Sequence, residues 1–243
     1  MKDALRRKAG NEAARPEGVV IAMPSRAEPS SVSYNLNGQR LGRKGRDTRE
    51  RIIAAARVLL AQPEPVPITL SAVAREASLN MTSLYLYFSD LTELLLAVLE
   101  PVMESAETAY VGLLRERWSD EELGERCRTF IMAYHAFWQE HTRLLHLRNS
   151  MADQHDLRMA RHRIASGQLV IELLVGQMTC KTEEDVFLAR HMAASLITGF
   201  ERAVTLATDS FIRNVISLSD DSEDMARLST VARILELGIR DRR

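Results

Sequence analysis

Residues 68–95, ITLSAVAREASLNMTSLYLYFSDLTELL, set two short apolar-periodic segments only a few residues apart, which is the spacing of a helix-turn-helix. In the first segment Leu70, Val73 and Ala77 recur at three- and four-residue intervals, so one helical face is apolar and the rest is left to solvent or phosphate. In the second, Leu84 and Phe88 form the inward pair, while Met81, Thr82, Ser83, Tyr85, Leu86 and Tyr87 point elsewhere. A helix made for burial does not place two tyrosines and two hydroxyls on its outer face. Such a face suits a DNA major groove, where Ser, Thr and Tyr donate to phosphates and a methyl-bearing side chain touches thymine.

Upstream, Ser25 to Arg46 is rich in Pro, Ser, Asn and Gly and poor in large apolar residues, so residues 1–46 read as a flexible arm. Its last part, RLGRKGR at 40–46, packs four cations between glycines immediately before a helix. That arrangement suits an arm that follows a phosphate backbone or enters a minor groove, and a solvated tail is the competing reading. Asp47 or Thr48 is expected to cap a helix through Ala61, with Ile52, Ile53, Ala56, Leu59 and Leu60 as its apolar stripe. Pro63, Pro65 and Pro67 then force an extended segment, and Thr69 caps the next helix. Asp90, three residues before Glu93, begins a fourth helix with a variant of the capping box.

Composition narrows the class. The 243 residues are 46% hydrophobic, enough to bury a substantial core. A net charge of −1 hides an asymmetry: residues 1–51 hold 12 basic and 6 acidic side chains, so the start is basic and the body acidic. The two cysteines, Cys127 and Cys180, give neither a disulfide framework nor paired metal-ligand spacing, and a reduced compartment is expected. No run reaches the length of an uncharged transmembrane helix and no signal-peptide pattern opens the chain, so a soluble, cytoplasmic protein without a membrane partner is expected. Residues 1–22 have no discernible pattern, Met23 offers an alternative start, and no functional argument rests on them.

Beyond residue 90 the periodicity stays helical, and the class is all-α. Helices are expected over 91–117 with a kink or break at Pro101, then 120–140, 142–152, 155–178, 183–208 and 223–240. The organisation is therefore an arm (1–46), a three-helix unit (47–90) and a larger helical domain (91–243).

Taken together, TRERIIAAA at 48–56, AVAREA at 72–77, SLYLYF at 83–88 and DLTELL at 90–95 resemble, in order and spacing, the TetR family of transcriptional regulators. The resemblance is motif-specific over residues 46–100 and extends to 101–243 only as a helical body of suitable length. Two positions depart from it. Ser78 stands where the family has a turn glycine, and a non-glycine residue at positive φ costs roughly 1 kcal/mol. Leu91 stands where a lysine commonly meets a phosphate, leaving Arg43, Lys44, Arg46 and Arg49 to supply cations. The resemblance implies a homodimeric regulator without enzymatic activity or cofactor. Its three-helix unit would bind palindromic double-stranded operator DNA as a repressor, and a small effector held in the larger domain would release it. Carried over by residue, Tyr85 contacts phosphate or thymine, Met81 and Thr82 face base edges, and Ser83 and Tyr87 hold the backbone. Thr69 and Ser71 join them at the start of the preceding helix. The second helix has no Arg, Lys, Asn or Gln after Asn80 for a bidentate base contact, so specificity leans on shape, methyl contacts and the arm.

In the body, Phe130, Tyr134, Phe137 and Trp138 form an aromatic stripe at helical spacing. Ordinary core is the simplest account of it. With Met103, Met151, Ile171 and Phe200 from other helices, the same stripe would line an adaptable pocket for an apolar effector. Ala189, Ala193, Leu196, Phe200 and Ala203, with Leu228, Ala232 and Leu235 of the last helix, make two stripes suited to a four-helix dimer seam or to burial within one subunit. The alternative class is a helical dimeric protein whose N-terminal helices dock a partner. A metal-dependent hydrolase built on His155-Asp156 has less support, because that doublet sits in a charged helix start and no metal site is expected. No phosphate-cradling loop or nucleophile elbow appears.

Overall fold

Gly42, not Asp47 or Thr48, opens the first helix, α1 (Arg43–Leu60). Leu41 is buried and seats against Gly45, and its carbonyl accepts from Arg46 Nη1 at 3.2 Å. That anchor carries the helix one turn further upstream than the capping residues indicate, so Arg43, Lys44 and Arg46 belong to a helix and not to the arm. The Thr48 hydroxyl turns back onto the Lys44 carbonyl at 2.9 Å instead of capping. The computed structural model describes residues 40–62, 67–210 and 221–243, so the arm over 1–39 and the proline segment at 63–66 lie outside the described residues.

Helix α2 (Leu70–Glu76) is capped by Thr69, whose hydroxyl accepts from the Ala72 N–H at 3.1 Å. Asn80 caps α3 (Met81–Tyr85) in the same way, accepting from the Ser83 N–H at 2.7 Å. Between them the Leu79 N–H reaches the Ala74 carbonyl at 2.8 Å and the Ser78 N–H reaches Arg75 at 3.1 Å, the paired bonds of a Schellman stop. This stop puts Ser78 at φ 53°, in the left-handed region that favours glycine. Val73, Leu84 and Phe88 close over the buried face of α1, where Ile52 and Ala56 are fully covered.

Asp90 caps α4 (Leu91–Ala109), accepting from the Glu93 N–H at 2.9 Å. The return bond of the expected box lands one residue early, Glu93 Oε2 taking the Ser89 N–H and hydroxyl, each at 2.7 Å. Pro101 does not break the helix. The chain turns only at Tyr110, into a short 3-10 turn (Val111–Leu114), because the Tyr110 ring is buried among Phe130, Tyr134 and Phe137.

The remaining helices are α5 (Leu123–Glu140), α6 (Thr142–Asp153), α7 (Leu157–Gly176), α8 (Glu183–Thr208) and α9 (Asp221–Asp241). The described residues are all-α, with no strand among them. Helix α9 lies against α5 and α8, α7 against α6 and α8, and α4 reaches α1 as well as α5, α6 and α7. Gly238 lets Leu196 seat on the α9 backbone, since a Cβ there would stand 2.8 Å from a Leu196 methyl. No helix among the described residues is long and apolar enough to cross a membrane.

Both stripes expected at a dimer seam are turned inward. Ala189, Ala193, Leu196 and Phe200 of α8 and Leu228, Ala232 and Leu235 of α9 are buried in the subunit's own core, and Ala203 is partly covered. The reason is that α8 and α9 use their small-residue faces to approach each other and α5. The large apolar residues they leave outside are Val186, Phe187 and Leu188 on α8 and Met225, Ile234 and Leu237 on α9.

The Ser78 turn gives a direct test of this local structure. Ser78→Val places a β-branched residue at positive φ and is expected to lower stability by about 1–2 kcal/mol, whereas Ser78→Gly is neutral or raises it by up to about 1 kcal/mol. Urea titrations followed by circular dichroism measure both. Equal midpoints for the two variants would refute the left-handed assignment.

Candidate nucleic-acid interface and buried polar cluster

The outer face of α3 is built by what its inner face does. Leu84 and Phe88 are fully buried, and this turns Thr82, Tyr85 and Leu86 outward, with Tyr85 48% exposed. Met81, Ser83 and Tyr87 are half-buried, Met81 and Tyr87 packing partly on the core. Thr69 and Ser71 are exposed, and their hydroxyls share a 3.0 Å hydrogen bond. At the start of α1, Arg43, Lys44 and Arg46 are exposed, with only Asp47 and Glu50 as acidic neighbours in the first two turns. Arg49 differs: its guanidinium lies over the Phe88 ring, 5.2 Å from the centroid, so its first role is to fasten α1 to the turn after α3. Asn80, not singled out by sequence, is the α3 cap, and the Asn-x-x-Ser spacing to Ser83 is the signal that identifies it.

A polar junction ties this unit to the body. The Thr92 hydroxyl donates to Asp156 Oδ2 at 2.6 Å, and Arg158 pairs with Asp90 at 2.9 Å. Arg143 Nη1 donates to the Leu59 carbonyl at 2.6 Å, so the start of α6 holds the end of α1. The Thr92 hydroxyl and the N–H groups at the start of α7 hold the Asp156 carboxyl below its ordinary value. His155, beside it, is exposed at φ 70°, and among the described residues no group of three His, Cys, Asp or Glu converges as metal ligands.

Within the body, the expected pocket residues divide. Phe130, Tyr134, Phe137, Trp138 and Phe200 are all buried, Phe200 meeting Phe130 at 5.6 Å and Tyr134 at 5.1 Å between ring centroids. Met103, Tyr134, Phe137 and Trp138 line a partly open void of about 20 Å³, the room of roughly one water molecule. Phe130, Met151, Ile171 and Phe200 do not reach it. The void is not purely apolar: Arg148, Arg163 and Glu201 also face it, with the phenol-bearing Tyr110. Met103 lines, in addition, an open groove of about 590 Å³ along α4, with Arg49, Glu93, Glu100 and Glu104 at its edges and His162 beside it.

The polar members form one network. Glu201 Oε1 takes a hydrogen bond from Asn149 Nδ2 at 3.2 Å and faces Arg163 Nε at 3.4 Å and Arg148 Nη2 at 3.8 Å. Arg148 is 5% exposed, donates from Nε to Asn149 Oδ1 at 3.1 Å and sits over the Trp138 ring at 5.8 Å. Burial pulls its guanidinium below the ordinary value, with Tyr134, Glu201 and Tyr110 acting the other way. Burial likewise pushes the Tyr110 phenol up to about 12 and that of Tyr134 well above its ordinary value. His162 is pulled down to about 4 by burial and by Arg148, and its buried Nδ1 lacks a hydrogen-bond partner. These charges escaped the sequence reading, although Arg148 stands four residues after Leu144 on the face that α6 buries, where a cation needs a partner.

No family model matches the sequence, and no curated protein matches it either.

Removing the shared carboxylate tests the network. Glu201→Ala leaves Arg148 buried without its counter-charge and is expected to cost about 3 kcal/mol in urea unfolding, while Glu201→Gln, which keeps an acceptor for Asn149, costs less than half as much. Indistinguishable losses for the two variants would mean that the charge of Glu201 does not stabilise Arg148.

Proposed function

We propose that the chain is a ligand-responsive, DNA-binding transcriptional regulator of the TetR type, acting as a homodimer. The observation that carries this reading is the outer face of α3. Thr82 and Tyr85 of this five-residue helix and Leu86 just after it are exposed, Leu84 and the following Phe88 fix the inner side, and the nearby first helix opens with three cations in four residues. As a helix-turn-helix, α2 and α3 would seat α3 in a major groove, with Thr82 and Tyr85 on phosphates or a thymine methyl. Arg43, Lys44 and Arg46 would meet the backbone from the α1 terminus. Repression, a palindromic operator and release by a small effector complete the proposal, and no catalytic role is assigned.

The junction supports a route for the effector's signal. Helix α6 carries Arg148 and Asn149 toward the void and Arg143 toward α1; α7 begins at the Asp156 and Arg158 contacts and carries Arg163. A ligand that shifts these two helices would re-aim the N-terminal unit through α4, and by linkage DNA would weaken that ligand by the same factor.

Selecting bound duplexes from a random pool tests the DNA-binding claim. On a selected duplex, Tyr85→Ala is expected to weaken binding at least about tenfold in a gel-shift titration while leaving the fold intact, because its ring lies outside the core. Replacing Arg43, Lys44 and Arg46 by Gln should lower the slope of log affinity against log salt by about 0.9 for each lost phosphate contact. If no duplex is enriched, or if Tyr85→Ala binds as tightly as the native chain, the α3 face serves a protein partner instead.

Ile234 and Leu237, exposed on α9, with the small exposed residues Ser195 and Gly199 of α8, are proposed as the dimer seam in place of the inward stripes. The double variant Ile234→Glu, Leu237→Glu should sediment as a folded monomer. A dimer of unchanged stability would remove this face from the interface.

A further inference from the structure

We propose that the ligand of the buried site is an amphipathic organic carboxylate, whose head is taken by Arg148 and Arg163 in competition with Glu201. The proposal rests on the effector-binding part of the preceding reading and replaces its apolar ligand with a charged one. Two guanidiniums converge on a single carboxylate oxygen, Glu201 Oε1, at 3.4 and 3.8 Å, and only the Asn149 amide approaches it within 3.3 Å. Both ion pairs are therefore longer than charge-assisted hydrogen bonds, and neither has the two parallel contacts that arginine makes with a well-seated carboxylate. Asp153, the other anion on Arg163 at 3.0 Å, is largely exposed, so solvent screens its share of the charge.

The surroundings select for the same chemistry. Tyr110 and Tyr134 line the void, and burial keeps their phenols neutral at physiological pH, so both are O–H donors for an anion. An ammonium head would instead meet two guanidiniums against the single carboxylate of Glu201. Around these donors the walls are Phe137, Trp138, Val170 and Ile197, which suit an aromatic or acyl body. Space is the remaining requirement. Met103 lines both the void of about 20 Å³ and the open groove of about 590 Å³, and its unbranched thioether is the adaptable wall between them that a bound body would displace. Three carboxylates, Glu93, Glu100 and Glu104, line that groove together with the Arg49 cation; Glu100 and Glu104 are exposed to solvent, which screens them, and Glu93 accepts from Ser89.

The test titrates the full chain, at pH 7.5, with three series of matched probes: hexanoate, decanoate and 4-phenylbutyrate, their primary amides, and the corresponding amines. Quenching of tryptophan emission reports occupancy beside Trp138, and calorimetry gives affinities. At least one acid is expected to bind about tenfold or more tightly than its amide, with the amine weakest. Glu201→Gln should strengthen the acid about tenfold and leave the amide unchanged, and Arg163→Gln should weaken the acid alone. Arg163 is part-exposed, so its variant keeps the test valid if Glu201→Gln fails to fold. Equal affinity for acid and amide, tighter binding of the amine, or no binding by any acid overturns the proposal. None of these titrations contains DNA. Carboxylate binding without any selected duplex would keep the site and refute the regulator, and selected duplexes without carboxylate binding would do the reverse.

Discussion

Everything else in the molecule is hung on the burial of one helix. Leu94, Leu95, Val98 and Leu99 of α4 are essentially inaccessible, and α4 touches α1 as well as α5, α6 and α7. Covering four large aliphatic side chains is worth on the order of 6–10 kcal/mol before conformational entropy is subtracted. Displacing α4 would act at both ends: the N-terminal unit loses its floor, and the aromatic cluster around Tyr110 loses its edge. The Asp90 cap at its start is also where Arg158 makes its ion pair, so the same turn that begins the helix fixes its bearing on the body.

Much of this was written in local sequence. Short-range rules are sufficient for the Thr69 and Asp90 caps, for the inward Leu84 and Phe88, and for the cost placed on Ser78, because each depends on neighbours within one or two turns. The upstream extension of α1 was not legible, since it comes from Leu41 packing against Gly45 and no capping side chain announces it. The direction of the α8 and α9 stripes was not legible either. Periodicity identifies a buried face, but whether α5 of the same chain or a second copy covers it is a question of topology.

The candidate ligand site shows the same limit from the chemical side. A stripe of aromatics is visible as a pattern that fits ordinary core and a pocket alike, and Phe130 and Phe200 pack on each other in solid core. Arg148, Arg163 and Glu201 come from three different helices and share no spacing. Each taken alone is an ordinary charged residue on a helix. Only packing brings them to a common void and makes their mutual desolvation the dominant fact about the site.

Pro101 lies inside α4 without ending it, and it donates no N–H to the carbonyl one turn earlier, that of Ala97. The most heavily anchored helix thus has one missing rung near its middle, on the side that borders the open groove. Bending there is opposed by one main-chain hydrogen bond fewer than bending elsewhere in the body of the helix. The helix is thus held firmly along its buried leucines and least resistant to bending at one defined place, which gives any displacement of its body end a set position at which to be taken up.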